Sequence, residues 1–352
     1  MSRRGALLTA GLVVIVAVAG AGLVSCRDDG AEPAAAPDPR RPAEAPVLRC
    51  NGDEAFCDLT LDRVVFPGTH NSMSSVAYPG WLFGEQGQPV RAQLDSGIRA
   101  LLVDTYYGRL DEPRSQEAGR PIVTSAVDGD IFLCHAHCEL GATAFGDVLG
   151  DLKAFLDANP TEVVVLIVQD ATRPADTAAA IAAAGLADRA VTLPHGAGTL
   201  PAGAGTLPHG AGTLPASAGR GDQLPTLGEL VKTRKNLVVF AEKGGRGAPA
   251  WYQRAFDWFQ ETPFAFTDAA QMGCEANRGP TDAPLFLVNH WVVTSPPDPA
   301  VAAAVNARPQ LEDRFRRCLA ERGRLPNVVA VDFADQGDVV ATLRDLNRSL
   351  TR

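Results

Sequence analysis

The feature that most constrains this chain is a recurrence. Short apolar runs rich in β-branched residues alternate with helical patterns, and nearly every run is closed by a polar residue. The runs are 63–66, 99–103, 131–134, 163–168, 237–241, 264–266, 285–288 and 328–331. Helical patterns occupy 90–96, 145–158, 174–184, 299–322 and 337–350. Near-continuous apolar strands separated by helices mean a parallel sheet covered on both faces. Eight such strands in one α/β domain over 48–352 predict a (β/α)8, TIM-like barrel. An open doubly wound sheet is the alternative, but no glycine-rich phosphate fingerprint follows the first strand.

The polar residues fall at one end of these strands. His70 and Asn71 follow the first, Asp104 closes the second, His135 the third, and Gln169 and Asp170 the fourth. Glu242 and Lys243 close the fifth, Asn289, His290 and Trp291 the seventh, and Asp332 the eighth. In a barrel all strand C-termini open on one face, so residues far apart in sequence ring one cavity.

Both ends of the function range can be bounded from composition. With 46% hydrophobic and 21% charged residues, the 352-residue chain is globular. Its net charge of −9 argues against nucleic-acid binding through a basic surface and against electrostatic docking on an anionic membrane. Arg3 and Arg4 precede an apolar run, 6–24, that ends two residues before Cys26. That pattern resembles a bacterial lipoprotein signal over 1–25, with lipidation of Cys26; an uncleaved membrane anchor is the alternative. Either places the remainder outside the cytoplasm, lipid-anchored in the first case. Residues 26–47, rich in Ala and Pro, read as an extended tether.

Six further cysteines remain: Cys50, Cys57, Cys134, Cys138, Cys274 and Cys318. An even number in an exported chain points to disulfides, with fifteen pairings open in principle. Local closeness favours Cys50–Cys57 and Cys134–Cys138, leaving Cys274–Cys318. Zinc binding by the Cys134–Cys138 segment, which also holds His135 and His137, is the rival; it lacks a second ligand cluster. A seven-residue repeat fills 192–222. Gly and Pro in its units forbid a helix, so it reads as an expanded loop, and His195 and His209 within it as solvated.

Phe66-Pro67-Gly68-Thr69-His70-Asn71-Ser72-Met73, then Gly97-Ile98-Arg99 leading to Asp104, then Leu133-Cys134-His135, resemble the X domain of phosphatidylinositol-specific phospholipase C and its bacterial relatives. The resemblance is good from about Cys57 to Asp170 and weaker beyond. It implies a barrel fold, a phospholipid or glycerophosphodiester substrate, and phosphodiester cleavage through a cyclic intermediate. It makes His70 the general base and His135 the general acid, roles that imidazole suits near neutral pH. No organic cofactor and no obligate protein partner are implied.

The phosphoryl charge must also be offset. Metal-independent members of the family place an Arg two residues after the Asp of the second strand; here that position is Tyr106. Calcium-dependent members imply oxygen ligands, for which Asn71 and Asp104 match. Leu102 stands where one acidic ligand would be, and Gln169 replaces a Glu; Glu242 or Asp170 would complete a Ca²⁺ or Mg²⁺ site. Lys243, His290, Trp291 and Asp332 are candidates for binding substrate, with Asp332 also able to orient His70 or to cap a helix. A phosphodiesterase on another head group and a non-catalytic lipid- or sugar-phosphate-binding lipoprotein are the alternatives.

Overall fold

The computed structural model describes residues 47–194, 224–245 and 247–351. The signal, Cys26, the tether up to Pro46, and the repeat from 195 onward lie outside the described residues.

Along the chain run β1 (Phe66–Thr69), α1 (Val90–Ser96), β2 (Ala100–Leu110), α2 (Glu112–Ala118), β3 (Val123–Ser125), β4 (Asp130–Cys134), β5 (Ala142–Ala144) and α3 (Phe145–Ala158). Then follow β6 (Val164–Asp170), α4 (Pro174–Ala183), α5 (Leu227–Lys232), β7 (Leu237–Ala241), β8 (Tyr252–Arg254), α6 (Ala255–Trp258) and β9 (Phe259–Glu261). The chain ends with β10 (Leu285–Asn289), α7 (Pro299–Val305), α8 (Arg308–Arg322), β11 (Val328–Val331) and α9 (Val339–Leu350).

Eight strands pair in parallel in the order β8-β7-β6-β2-β1-β11-β10-β9. Read as a circle, that is the order of the sequence, interrupted between β8 and β9. No ladder joins those two among the described residues. The sheet is therefore an open, curled α/β half-barrel of TIM-like type rather than the closed barrel expected. Only the four residues of α6 separate β8 from β9, too few for a crossover helix that would seat them as parallel neighbours. Aromatic packing bridges the seam instead: the Phe240 ring of β7 meets Phe259 of β9 edge-on, centroids 4.9 Å apart.

Strand alternation divides the core into two layers. Phe66, Ala100, Val165, Ile167, Val238, Phe240, Leu285, Leu287, Val328 and Ala330 face inward. The intervening residues, such as Leu101, Val103, Leu166 and Val239, pack outward with α1, α3 and α4, and Val329 and Val331 with α8 and α9. Helix α1 ends in a left-handed Gly97, φ 111°, whose missing Cβ would stand 2.7 Å from Val340; only glycine fits there.

Three of the expected strands are displaced. The first begins where the run 63–66 ends, at Phe66, and continues to Thr69. Residues 131–134 form β4, antiparallel to β2, in an excursion with β3 and β5 that extends the long β2 beyond the barrel rim. Residues 264–266 are not a strand; β9 precedes them, and β8 supplies the eighth member. The expected helix 299–322 is broken in two. Pro309 has no N–H for the carbonyl of Val305, so the helix cannot run through, and His290 Nε2 bonds that carbonyl at 2.9 Å. The cysteines pair as Cys50–Cys57, Cys134–Cys138 and Cys274–Cys318.

Candidate active site

The C-terminal ends of the strands surround a cavity of about 330 Å³. His70 enters it directly after β1. Its ring lies flat on the Trp291 indole, centroids 3.8 Å apart, and its Nδ1 is 2.8 Å from Asp332 Oδ1. Gln86 fixes the main chain beneath by donating to the carbonyls of His70 and Val331, at 2.7 and 2.9 Å. His135 approaches from the β4 excursion, across the same cavity. The two imidazole centroids are 6.2 Å apart, with ring planes at 81°. His135 Nδ1 stands 3.4 Å from Glu85 Oε2, and that oxygen also accepts from Asn71 Nδ2 at 2.6 Å.

Backbone strain marks these positions. Five described non-glycine residues have positive φ, and three of them directly follow His70, His135 and Asp332: Asn71, Ala136 and Phe333. Such conformations persist where surrounding contacts impose them, and they gather at sites of function. For Asn71 the local cost is small, because Asn tolerates the left-handed region. For Ala136 the Cys134–Cys138 disulfide closes the turn that presents His135.

Burial alone would lower the His70 pKa. The charge and hydrogen bond of Asp332, with Glu85 and Asp104 beyond, overcome it and hold the ring at about 9. The hydrogen bond that His135 donates to Glu85 raises His135 as well, against a smaller opposing effect of burial. Burial would raise Glu85, but His135, His70 and Asn71 bring it below the usual carboxylate range. Asp104, buried with both imidazoles and two further acids nearby, is pushed up to about 7.

All four proposed oxygen ligands, Asn71, Asp104, Gln169 and Glu242, line this cavity. They do not form one cluster. Gln169 is exposed at the rim, and Glu242 is held by Arg278 Nη1 at 2.7 Å. The group that can hold a divalent cation is His70, Glu85 and Asp332, whose ligand atoms all lie within 4.8 Å of one another. Three carboxylates, Glu85, Asp104 and Asp332, stand together with low exposure. A cation of the Ca²⁺ or Mg²⁺ type would relieve the excess negative charge that burial penalises at Asp104.

Alternation removes three of the expected residues from the cavity. On β10 and just beyond its end, Leu287, Asn289 and Trp291 face it, so His290 faces outward, buried against α7, and burial lowers its pKa to about 4. Asp170 likewise points away and accepts from the Lys243 backbone N–H at 2.8 Å; the Lys243 side chain is exposed outside the cavity. His137 is exposed and lines no part of it.

Three charged cavity residues escape the sequence reading: Glu85, Glu261 and Arg278. Arg278 pairs with Glu261 through Nε, reaches it again through Nη2 at 3.2 Å, and lies over Phe256 and Phe264 at 4.6 and 5.1 Å. Glu261 ends β9, so correct placement of the sixth strand would have found it. Glu85 and Arg278 stand in loops, where no periodicity flags them.

The chain is similar to known proteins, and the family match takes in His135, Glu242 and Asp332 but begins after His70, Asn71, Glu85 and Asp104. The PI-PLC X family matches residues 121–197 and 214–347. A PI-PLC X domain-containing protein of Arthroderma benhamiae is 28% identical over 318 residues, 85% of this chain and 90% of its own length. An uncharacterized secreted protein of the same fungus is 26% identical over 71% of this chain and 49% of its own length. A PI-PLC X domain-containing protein of Arabidopsis thaliana is 24% identical over 88% and 66%. Among solved structures, a phosphatidylinositol-specific phospholipase C of Listeria monocytogenes aligns with TM-score 0.49 and 15% identity over 84% of this chain and 97% of that one. The curled parallel sheet with its cavity at the strand C-termini, and a family match across more than half the sequence, lead to one conclusion: the chain belongs to the PI-PLC X family of phosphodiesterases.

Proposed function

We propose that this protein is an extracytoplasmic phosphodiesterase of the phosphatidylinositol-specific phospholipase C type, with His70 as base and His135 as acid. The observation that carries the reading is the facing pair of imidazoles, each with its own carboxylate, Asp332 for His70 and Glu85 for His135. Each carboxylate engages Nδ1, leaving Nε2 to the substrate. His70 would take the proton of a hydroxyl adjacent to the phosphodiester as its oxygen bonds phosphorus. The bond to the lipid oxygen breaks, and His135 would give that oxygen a proton. Reversed roles would let water open the cyclic product.

Neutral His70 is the form that accepts a proton, yet its acidic surroundings favour imidazolium. A divalent cation on the Glu85–Asp104 side would offset phosphoryl charge when bound and shift the ring toward its neutral form. Glu242, Arg278 and Glu261 line the opposite wall as an acceptor–donor–acceptor array, suited to a hydroxyl-rich head group. Anchoring through a lipidated Cys26 remains part of the proposal and rests on the N-terminal sequence pattern; it predicts acyl labelling that Cys26→Ala abolishes. The secreted fungal relative favours an extracytoplasmic location.

The deciding experiment assays purified protein on phosphatidyl and glycerophospho substrates, with and without Ca²⁺. Release of a cyclic phosphate from an inositol lipid supports the proposal. Turnover of glycerophosphodiesters alone would replace it with the second head-group reading, and no turnover in any arm with the binding-lipoprotein reading.

A further inference from the structure

Two fully buried polar side chains take no part in the acid–base chemistry: His290, one residue past β10, and Asn306, directly after α7. They are joined through the end of that helix. Pro309 leaves the Val305 carbonyl without a helical donor. A carbonyl only accepts, so the His290 ring carries its proton on Nε2 and gives it to Val305 at 2.9 Å. The next residue is fixed on both sides: Asn306 N–H bonds the Ala302 carbonyl at 2.8 Å, and its own carbonyl accepts from Asp338 N–H at 3.0 Å. Gly337, φ 82°, closes on it so tightly that a Cβ there would stand 2.7 Å from the Asn306 carbonyl.

From this fixed point the Asn306 side chain reaches the turn after β11. Its Nδ2 donates to the Asp332 carbonyl at 2.8 Å and to the Phe333 carbonyl at 3.3 Å. The two acceptors set the orientation of the amide, since the opposite one would put its oxygen against both carbonyls. Asp332 is the residue whose Oδ1 holds His70 Nδ1 at 2.8 Å. Phe333 has φ 43°, a conformation that a bulky residue keeps only where its surroundings impose it.

The other side of the turn is held by Gln86, which accepts from Ala334 N–H at 3.1 Å and donates to the Val331 carbonyl at 2.9 Å. Two carboxamides, from the loop before α1 and from the end of α7, thus hold residues 331–334 between them. The space left between α7 and the turn is about 10 Å³, room for no more than one water. An amide suits this place. It ties down main-chain carbonyls at full burial without adding a charge beside Glu85, Asp104 and Asp332.

We propose that Asn306 is a positioning residue that sets Asp332 against His70, and that His290 acts through it by holding the end of α7. The proposal deepens the phosphodiesterase reading above and rests on it for the reaction. Neither side chain lines the catalytic cavity. Their effect is geometric: Asp332 sets the angle at which the His70 ring meets a hydroxyl, and a misplacement of about 1 Å can cost roughly a hundredfold in rate.

The test uses the full chain, a soluble inositol phosphodiester and added Ca²⁺. Asn306→Ala should lower kcat about tenfold or more and leave KM unchanged. In an Asp332→Ala background the same substitution should cost less than about twofold, because no carboxylate is left to position. His290→Leu should reproduce the Asn306→Ala loss. His290→Gln, which keeps an N–H for the Val305 carbonyl, should recover most of the parent rate; this pair carries the test even where Asn306→Ala folds poorly. Asn347→Ala is the control of equal chemistry at the opposite end of the strands. Buried Asn347 bonds both the N–H and the carbonyl of Val65 at 2.8 Å, so its loss should lower the melting temperature and leave kcat alone. A readout independent of turnover is the His70 Nδ1–H resonance in protein with isotopically labelled histidine, assigned by its loss in His70→Ala. Asn306→Ala should lose it to exchange with water, and Asn347→Ala should keep it. Parent-like kcat in Asn306→Ala, the full loss repeated in the Asp332→Ala background, or an equal loss of kcat in Asn347→Ala overturns the proposal. Equal rates for His290→Leu and His290→Gln overturn the part given to His290. Absence of turnover in every form would count against the phosphodiesterase reading. The resonance then decides: lost in Asn306→Ala it supports the positioning role, and unchanged it overturns it.

Discussion

The two walls of the mouth are built differently. The His70 wall is made of barrel strands: β1 and β11 are neighbours, Asp332 follows β11, and Trp291 from the end of β10 covers the ring. The His135 wall is an antiparallel excursion beyond the rim, closed by a disulfide. Side-chain exposure follows the construction, 19% for His70 and 49% for His135. In the proposed assignment the barrel would supply the base and the disulfide-closed excursion the acid, with Glu85 from a third segment raising the pKa of His135.

The largest test of that contrast is chemical. His70→Ala and His135→Ala should each lower turnover by at least about a hundredfold, the usual scale for acid–base groups. They should differ in rescue. A substrate whose leaving alcohol is acidic needs no proton from the enzyme, so it should restore much of the His135→Ala rate and none of the His70→Ala rate. Equal rescue of both would show that the roles are not divided between the walls in this way. His137→Ala, outside the cavity, should be near wild type.

A cation held by the carboxylates would join the two walls, because Glu85 serves His135 and Asp332 serves His70. Chelation should suppress turnover and added Ca²⁺ restore it. Asp104→Asn, which takes away a cavity-lining carboxylate, should raise the Ca²⁺ concentration needed. Full activity in excess chelator, with no calcium bound in equilibrium dialysis, would leave Arg278 and the His135 imidazolium as the counter-charge.

A smaller effect separates the walls by pH. His70 must lose its proton to act as base, so with its pKa held up at about 9 the activating limb without cation lies near that pH. Asp332→Asn removes the carboxylate that raises it, and the limb should move to lower pH while the plateau rate falls. Glu85→Gln removes the group that raises His135, and the high-pH limb, where the acid loses its proton, should move down instead. A pH–rate profile for each variant checks the pairing. Glu85 also adds to the charge that raises His70, so Glu85→Gln should move the low-pH limb too, but less; if it moves that limb more than the high-pH one, or if Asp332→Asn moves the high-pH limb, the carboxylates have been assigned to the wrong rings.

What the sequence made legible follows the same division. Residues on regular strands could be read from apolar runs and their polar endings, which is why His70, Asp104 and Asp332 were placed together. Alternation along β10, Leu285, Leu287, Asn289, Trp291, would also have turned His290 outward, and the same parity on β6 separates Gln169 from Asp170. His135 is legible through its motif, and its run reads as a barrel strand because an antiparallel edge has the same β-branched content as a parallel one. Glu85 and Arg278 had no periodic signal. Their positions depend on tertiary contacts of loops, Glu85 through Ser74 and Phe333, Arg278 through Phe256 and Phe264.

The smallest expected effect concerns the end opposite both walls. Deleting 195–216 from the repeat should leave turnover unchanged. The flanking anchors are kept: Leu193, buried, gives its N–H to Gln253 Oε1 at 2.9 Å, and Pro225 accepts from Leu61 N–H at 3.1 Å. Both belong to the region where β1 and β7 begin, a full strand length from the imidazoles. Shortening the connection should reduce the entropy lost on closing it, by about 1 kcal/mol for a fourfold change in length. The melting temperature should therefore hold or rise slightly. A fall of several degrees would mean that the repeat packs on the barrel, and a fall in turnover at constant stability would mean that it reaches the mouth, erasing the separation between the two ends that the anchors imply.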